Sequence, residues 1–286
     1  MTDYPASQRH TKVTLVVLYG FLFAYLMFAL GPFLWMVITS FKVPSDVFRI
    51  PPSLFPSKLV SDDPMGNYVS LFTQHDFWLF MRNSLLVATG AAIGQVFTTT
   101  LAGYALGCLP VAGKNGLFAC LLITAFVPVE VTIIPEFLMM RELGLLNSLY
   151  ALIVPSFLVG TFGTFILKEY FCQLPQEYKQ LAYAEGASAW RIFRKIYCPL
   201  ARPAIISVFV IAFTNNWNEL LRPLLFLNDT ERHTLPLGLM NFFSQYEANW
   251  TVLMAGSVVS TLPLIIVYAL SQRYVLYGFS VGGIKG

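Results

Sequence analysis

"LAYAEGASAWRIFRKIYCPLARP", Leu181 to Pro203, sets Arg191, Arg194, Lys195 and Arg202 between two apolar runs, Leu149 to Leu167 and Ala204 to Leu227, that are long enough to cross a bilayer. Just upstream, Pro175 is placed to begin a helix in which Tyr178, Leu181 and Ala182 recur at three- and four-residue spacing, giving one apolar face. Gly186 ends that helix. Ser188 caps a second one, in which Trp190, Phe193 and Tyr197 form an aromatic face while Arg191, Arg194 and Lys195 point elsewhere. Between the two, Ala184-Glu185-Gly186-Ala187-Ser188 is nearly free of large side chains, so its backbone can enter a cleft on another protein. The residues alone fit equally well an interfacial helix lying on anionic headgroups.

The surrounding chain makes this charged insert unusual. It has 286 residues, of which 56% are hydrophobic and only 12% charged, with a mean hydropathy of +0.64, which is too apolar for an ordinary soluble domain. A bilayer core about 30 Å thick needs roughly 20 apolar residues per helix. Six stretches meet or approach that length: Val13 to Phe41, Asn83 to Cys108, Leu117 to Met139, Leu149 to Leu167, Ala204 to Leu227 and Val252 to Leu270. The first exceeds a signal-peptide core and is expected to be a retained span. The expected fold is therefore all-α, a polytopic membrane protein with six transmembrane helices and a cytoplasmic helix-turn-helix loop at about 174–199, in a single transmembrane domain over 1–286.

The basic residues orient it. With both termini cytoplasmic, the inside carries Arg9, Lys12, Lys114, Lys168, Lys179, Arg191, Arg194, Lys195, Arg202, Arg273 and Lys285, and the outside carries Lys42, Arg49, Lys58, Arg82, Arg141, Arg222 and Arg232. The net charge of +3 is scattered over segment ends, so no nucleic-acid-binding face is expected. Cys108, Cys120, Cys172 and Cys198 fall on or near the cytoplasmic side and need no disulfide partner. In the second span Gly90 and Gly94, then Gly103 and Gly107, have the spacing of closely approaching helices, either within this chain or against a second membrane subunit.

Reactive constellations are missing. Gly113-Lys114-Asn115 is the nearest approach to a phosphate-binding loop, but Cys108 and Asn115 stand where Gly and Ser or Thr are required. His10, His75 and His233 lie in flanks and loops away from other ligands, so neither a metal site nor a catalytic residue is expected. The acids at membrane depth are Glu130, Glu136 and Glu219. Such groups are functional candidates by default, and proton coupling in a stand-alone secondary carrier is the alternative they raise. Around Trp217, the side chains of Asn215, Asn216, Asn218 and Glu219 can hydrogen-bond solute hydroxyls, and the indole can stack on a sugar ring. The same polar groups also suit bonding between helices. Glu130, between Pro128 and Pro135, either lines a cavity or satisfies freed backbone groups.

Gln180-Leu181-Ala182, three residues, Gly186, nine residues, then Ile196-Tyr197-Cys198-Pro199 resembles the hallmark loop of inner-membrane permease subunits of binding-protein-dependent ABC importers, which reads E-A-A, three residues, G, nine residues, I-x-L-P. Gln180, Leu181 and Cys198 depart from that pattern. Thr39-Ser40-Phe41-Lys42, Asn67-Tyr68, Asn83-Ser84-Leu85, Trp217-Asn218-Glu219 and the terminal "GGIKG" resemble the carbohydrate-importer branch, its maltose and glycerol-phosphate type permeases in particular. The resemblance implies a bacterial inner-membrane complex in which an extracytoplasmic solute-binding protein delivers a sugar or sugar-like solute. This subunit and a second permease, as a heterodimer, would line the pathway within membrane lipid. Two separate ATPase subunits would bind ATP and Mg, and this chain would carry no cofactor. The loop from Leu174 to Pro199 becomes a lever that docks on an ATPase through Gln180, Leu181, Ala182, Tyr183, Ala184, Glu185, Gly186, Ala187 and Ser188.

Overall fold

A computed structural model describes residues 6–53, 63–158, 160–240, 242 and 249–280, with side chains from Thr14 to Tyr274. Residues 54–62, which include Lys58, residues 243–248 ("FSQYEA") and the "GGIKG" tail lie outside the described residues. All described secondary structure is helical. In chain order it comprises α1 (Ala6–Ser40), α2 (Pro44–Val47), α3 (Gly66–Thr73), α4 (Phe77–Cys108), α5 (Lys114–Thr124), α6 (Val129–Glu142), α7 (Tyr150–Ile153) and α8 (Thr161–Gln173). It continues with α9 (Gln176–Ala184), α10 (Ala189–Ile192), α11 (Cys198–Leu200), α12 (Arg202–Trp217), α13 (Leu221–Phe226), α14 (Leu235–Met240) and α15 (Trp250–Ser280).

Among the described residues, four segments are long and apolar enough to cross a membrane: Thr14–Ser40, Phe77–Cys108, Tyr150–Gln173 and Trp250–Tyr274. The total reaches six if α5 with α6, and α10–α11 with α12, each count as one bent span. The expected third span is not straight, because α5 and α6 meet at 99°. Pro128 is the cause: it has no N–H to continue the ladder, and it sits extended at φ −67° and ψ 145°. The expected fifth span is likewise interrupted, since α12 ends at Trp217 and α13 restarts at Leu221.

The chain divides into two compact units. One holds the described residues of 1–75 and 242–259. In it, Asn67 on α3 donates to the carbonyls of Ser40 at 2.7 Å and Lys42 at 2.9 Å and accepts from Thr251 Oγ1 at 3.2 Å. The Tyr68 hydroxyl meets Ser40 Oγ at 2.7 Å, and the buried Lys42 ammonium lies 4.2 Å from the Trp35 ring centre. The end of α1 leaves carbonyls without intrahelical partners, and Asn67 satisfies that of Ser40 together with the Lys42 carbonyl just beyond the helix. Thr39-Ser40-Phe41-Lys42 and Asn67-Tyr68 are thus two halves of one clamp. Trp250 packs edge-on against Phe48 with ring centres 5.9 Å apart.

The other unit holds the described residues of 76–241 and 260–280, and α4 is its axis, with α8 and α12 packed along it. Small residues allow the approach. A methyl group on Gly103 would lie 2.9 Å from Leu167 Cβ and 3.0 Å from the Lys168 backbone nitrogen, and one on Gly107 would lie 3.2 Å from the Lys168 carbonyl oxygen. Gly90 and Gly94 face Ile153 and Phe157 in the same way. Both glycine pairs therefore serve packing within this chain. At the start of α4, Asn83 donates to the carbonyls of Glu231 at 2.8 Å and His233 at 3.0 Å, while Ser84 Oγ accepts from the Leu235 N–H at 2.7 Å. The Asn83-Ser84 pair fastens the loop before α14 to α4.

Candidate functional site

The charged insert folds as a hairpin of α9 and α10. Pro175 occupies the cap position and α9 begins one residue later. At its other end Gly186 takes φ +76°, its N–H bonds to the Tyr183 carbonyl at 3.0 Å, and the Ala187 N–H bonds to the Ala182 carbonyl at 2.9 Å. A Cβ at Gly186 would meet nothing within 4 Å, so the left-handed backbone, and not crowding, asks for glycine. Ser188 Oγ caps α10 by accepting from the Arg191 N–H at 3.3 Å. A widened turn at Phe193–Tyr197 then leads into α11.

Ala182, Ile192, Phe193 and Tyr197 are buried against Tyr104 and Cys108 of α4, Leu167 and Phe171 of α8, and Ala204 and Val208 of α12. Tyr104 sits at the centre, with ring centres 4.9 Å from Phe193, 5.1 Å from Tyr197 and 5.8 Å from Phe171. Lys179 Nζ adds a bond of 2.5 Å to the Cys108 carbonyl at the end of α4. The hairpin is thereby fixed to the helices behind it.

Its outer side is bare. The expected apolar face of α9 splits, because Ala182 is buried while Tyr178 is 49% and Leu181 65% exposed. Neighbouring positions diverge by about 100° around a helix, so Leu181 points away where Ala182 points in. Trp190 likewise packs on Phe193, with ring centres 5.3 Å apart, yet remains 58% exposed. Gln180, Tyr183, Ala184, Glu185, Gly186 and Ser188 are exposed as well, and Ala187 is half-buried. Large apolar side chains around a small-residue turn, on a rigid base, suit a protein partner.

A second feature forms where α12 breaks. Gln95 of α4, Ser156, Asn215 and Asn216 of α12, Glu219, and Arg222 of α13 line a polar cavity of about 290 Å³. Gly160 makes room there, since its Cβ would fall 2.6 Å from the Gln95 amide nitrogen. Arg222 donates through Nε to Glu136 Oε1 at 2.9 Å, through Nη2 to Glu136 Oε2 at 3.1 Å, and through Nη1 to Glu219 Oε2 at 3.0 Å. Glu219 Oε1 also accepts from the Leu221 and Arg222 N–H groups at 2.9 and 3.4 Å, capping α13.

Of the expected pathway residues, Asn215, Asn216 and Glu219 come together in this cavity. Asn216 and Asn218 donate to the carbonyls of Ala212 and Thr214 one turn back, and Asn218 does not line the cavity. Trp217 turns inward: it is 2% exposed, stacks on Phe213 and donates its indole N–H to the Ser260 carbonyl at 3.1 Å. Glu130 sits exposed in the first turn of α6, outside the cavity lining. Sequence reasoning left Arg222 among the flanking charges and Glu136 as a lone acid. The signal available was that each adjoins a proline, Pro223 and Pro135, with opposite charge.

The chain thus presents a hairpin anchored on α4, α8 and α12 and bare on its outer side, beside a polar cavity at the break of α12. Residues 11–276 match the family of binding-protein-dependent transport system inner membrane components, and the chain belongs to that family. It is a permease subunit of an ATP-driven importer and is not itself an enzyme; ATP hydrolysis lies with separate subunits. Across 268 residues it is 32% identical to the arabinooligosaccharides transport system permease protein AraQ of Halalkalibacterium halodurans, covering 92% of this chain and 94% of that protein. It is 28% identical to the diacetylchitobiose uptake system permease protein DasC of Streptomyces coelicolor, covering 96% of each. Its fold is similar to a chain of a bacterial ABC transporter involved in the import of the acidic polysaccharide alginate, with a TM-score of 0.79, 24% identity, and coverage of 96% of this chain and 100% of that one.

Proposed function

We propose that residues 1–286 act as one transmembrane domain with six spans, forming half of the pathway for a sugar or sugar-like solute. AraQ and DasC, by their names permeases of oligosaccharide systems, support the solute class. The excess of basic residues on one side supports cytoplasmic termini and a cytoplasmic hairpin in the bacterial inner membrane. A second permease completes the pathway, an extracytoplasmic binding protein delivers the solute, and two ATPase subunits hold ATP and Mg.

The observation that carries this reading is the hairpin at 174–199, bare on its outer side and anchored on α4, α8 and α12 behind it. Docking of Gln180 to Ser188 on an ATPase transmits movement through that anchored base to the helices of the pathway, as alternating access requires. In the pathway, Asn215, Asn216 and Glu219, which line the polar cavity, bond the solute, while Asn218 stays bonded to its own helix. Trp217 holds α12 in place through Ser260 instead of stacking on a sugar ring.

The test is co-purification of the ATPase with the reconstituted permease pair. Gly186→Arg should release the ATPase while the permeases stay assembled. Gly186→Asn, which tolerates the left-handed backbone without a long side chain, should retain it. Retention by Gly186→Arg refutes docking at this turn.

A further inference from the structure

The polar cavity and a neighbouring one of about 330 Å³ share Pro155, Leu158 and Arg222, and the second is completed by Pro135, Glu136 and Met139. The Glu136–Arg222–Glu219 cluster is therefore the wall between them. An arginine has five N–H donors, and three of those on Arg222 are already given to carboxylate oxygens. The cluster holds two carboxylates and one guanidinium, a sum of one negative charge, and no other lining residue of either cavity is charged. The remaining polar groups, Gln95, Ser156, Asn215 and Asn216, are neutral and offer both donors and acceptors.

We propose that Glu136, Arg222 and Glu219 form a charge filter that selects neutral polyhydroxyl solutes over anionic ones. This rests on the cavity being part of the solute pathway. A hydroxyl is a donor to the carboxylates and an acceptor from the arginine or the amides, so a neutral polyol finds partners whichever way it turns. An anion in either cavity finds the guanidinium engaged and a carboxylate beside it, Glu219 in the polar cavity and Glu136 in the neighbouring one, within a cluster whose sum is negative. Partial burial leaves that repulsion weakly screened, with Glu136 12% and Glu219 27% exposed at the side chain. Selection comes from a repulsive element as much as from an attractive one.

The test needs no knowledge of the natural solute. Ser156→Cys and Asn215→Cys are each placed in the assembled importer with the four native cysteines replaced by alanine. Each is labelled with a cationic trimethylammonium-ethyl and an anionic sulfonatoethyl methanethiosulfonate, with rates normalised to a small free thiol. The cation should react faster by about tenfold, the lower end of what a singly charged cleft produces, and the preference should shrink as ionic strength rises. Glu219→Gln should bring the ratio towards one, and Glu136→Gln with Glu219→Gln should invert it. Should the double variant fail to assemble, Glu219→Gln and the salt series decide the matter. Equal normalised rates in the unaltered cluster overturn the filter but leave the pathway reading standing. No labelling of either cysteine by either reagent overturns the pathway reading and the filter with it.

Discussion

At Gly103 α4 comes close to the backbone of α8, and Gly103→Ala tests whether that approach organises the fold. The added methyl would lie 2.9 Å from Leu167 Cβ, 3.0 Å from the Lys168 nitrogen and 3.2 Å from the Leu167 carbonyl carbon. Ordinary contact begins near 3.4 Å, so α8 must withdraw by about half an ångström. No flexible side-chain end can absorb this, because the obstructing atoms are backbone and Cβ. Leu167 and Phe171, both fully buried, would move with the helix. Overpacking of this kind costs about 1–3 kcal/mol, offset by about 0.5–1 kcal/mol for alanine over glycine in a helix, leaving a net loss of about 0–2.5 kcal/mol, centred near about 1 kcal/mol. Gly116→Ala on α5 is the control: nothing lies within 4 Å of its Cβ, so only the helix-propensity gain of about 0.5–1 kcal/mol remains. Thermal melting of the purified complex should rank Gly116→Ala at or above the parent and Gly103→Ala clearly below it. Because α8 carries part of the hairpin's base, ATPase retention should fall in the same order. A Gly103→Ala protein that melts with or above Gly116→Ala would refute the close-packing argument.

Arg222→Met leaves Glu136 and Glu219 without their counter-charge and should cost about 1–3 kcal/mol, discounted from the fully buried case because the pair is partly exposed; adding Glu136→Gln and Glu219→Gln should recover most of the lost melting temperature. Asn83→Ala removes both bonds to the 231–233 loop and should cost about 1–3 kcal/mol, with proteolysis at that loop as a second measure. Burial lowers the His233 pKa below its ordinary 6.5, against the opposing pull of Asp229. The folded state thus favours the neutral ring, a stabilisation complete above pH 6.5 and lost as the pH falls through the lowered folded-state value. Melting temperature should therefore decline on acidification below 6.5, and His233→Gln should flatten that decline; parallel curves would contradict it.

Runs such as those in α1, α4 and α15 needed no tertiary knowledge, since a stretch of about twenty apolar residues has few stable environments outside a bilayer. The hairpin was equally legible, because Gly186 at a left-handed turn and Ser188 at a helix start act within a few residues of their own positions. What spacing cannot state is which distant group a residue meets. Gly103 read as a close-approach residue, and only packing chose α8 as its partner. Asn67 and Asn83 read as family-like residues, and only folding showed them to be clamps on chain carbonyls 25 and 148 residues away. Leu181 and Ala182 read as one face, yet the helices behind the hairpin cover one and leave the other bare. Glu136 and Arg222, 86 residues apart, each read as a stray charge. Local patterns fix what a segment can be, because hydrogen bonding and burial along a helix are short-ranged; the pairing of charges across broken helices follows only once those helices are packed.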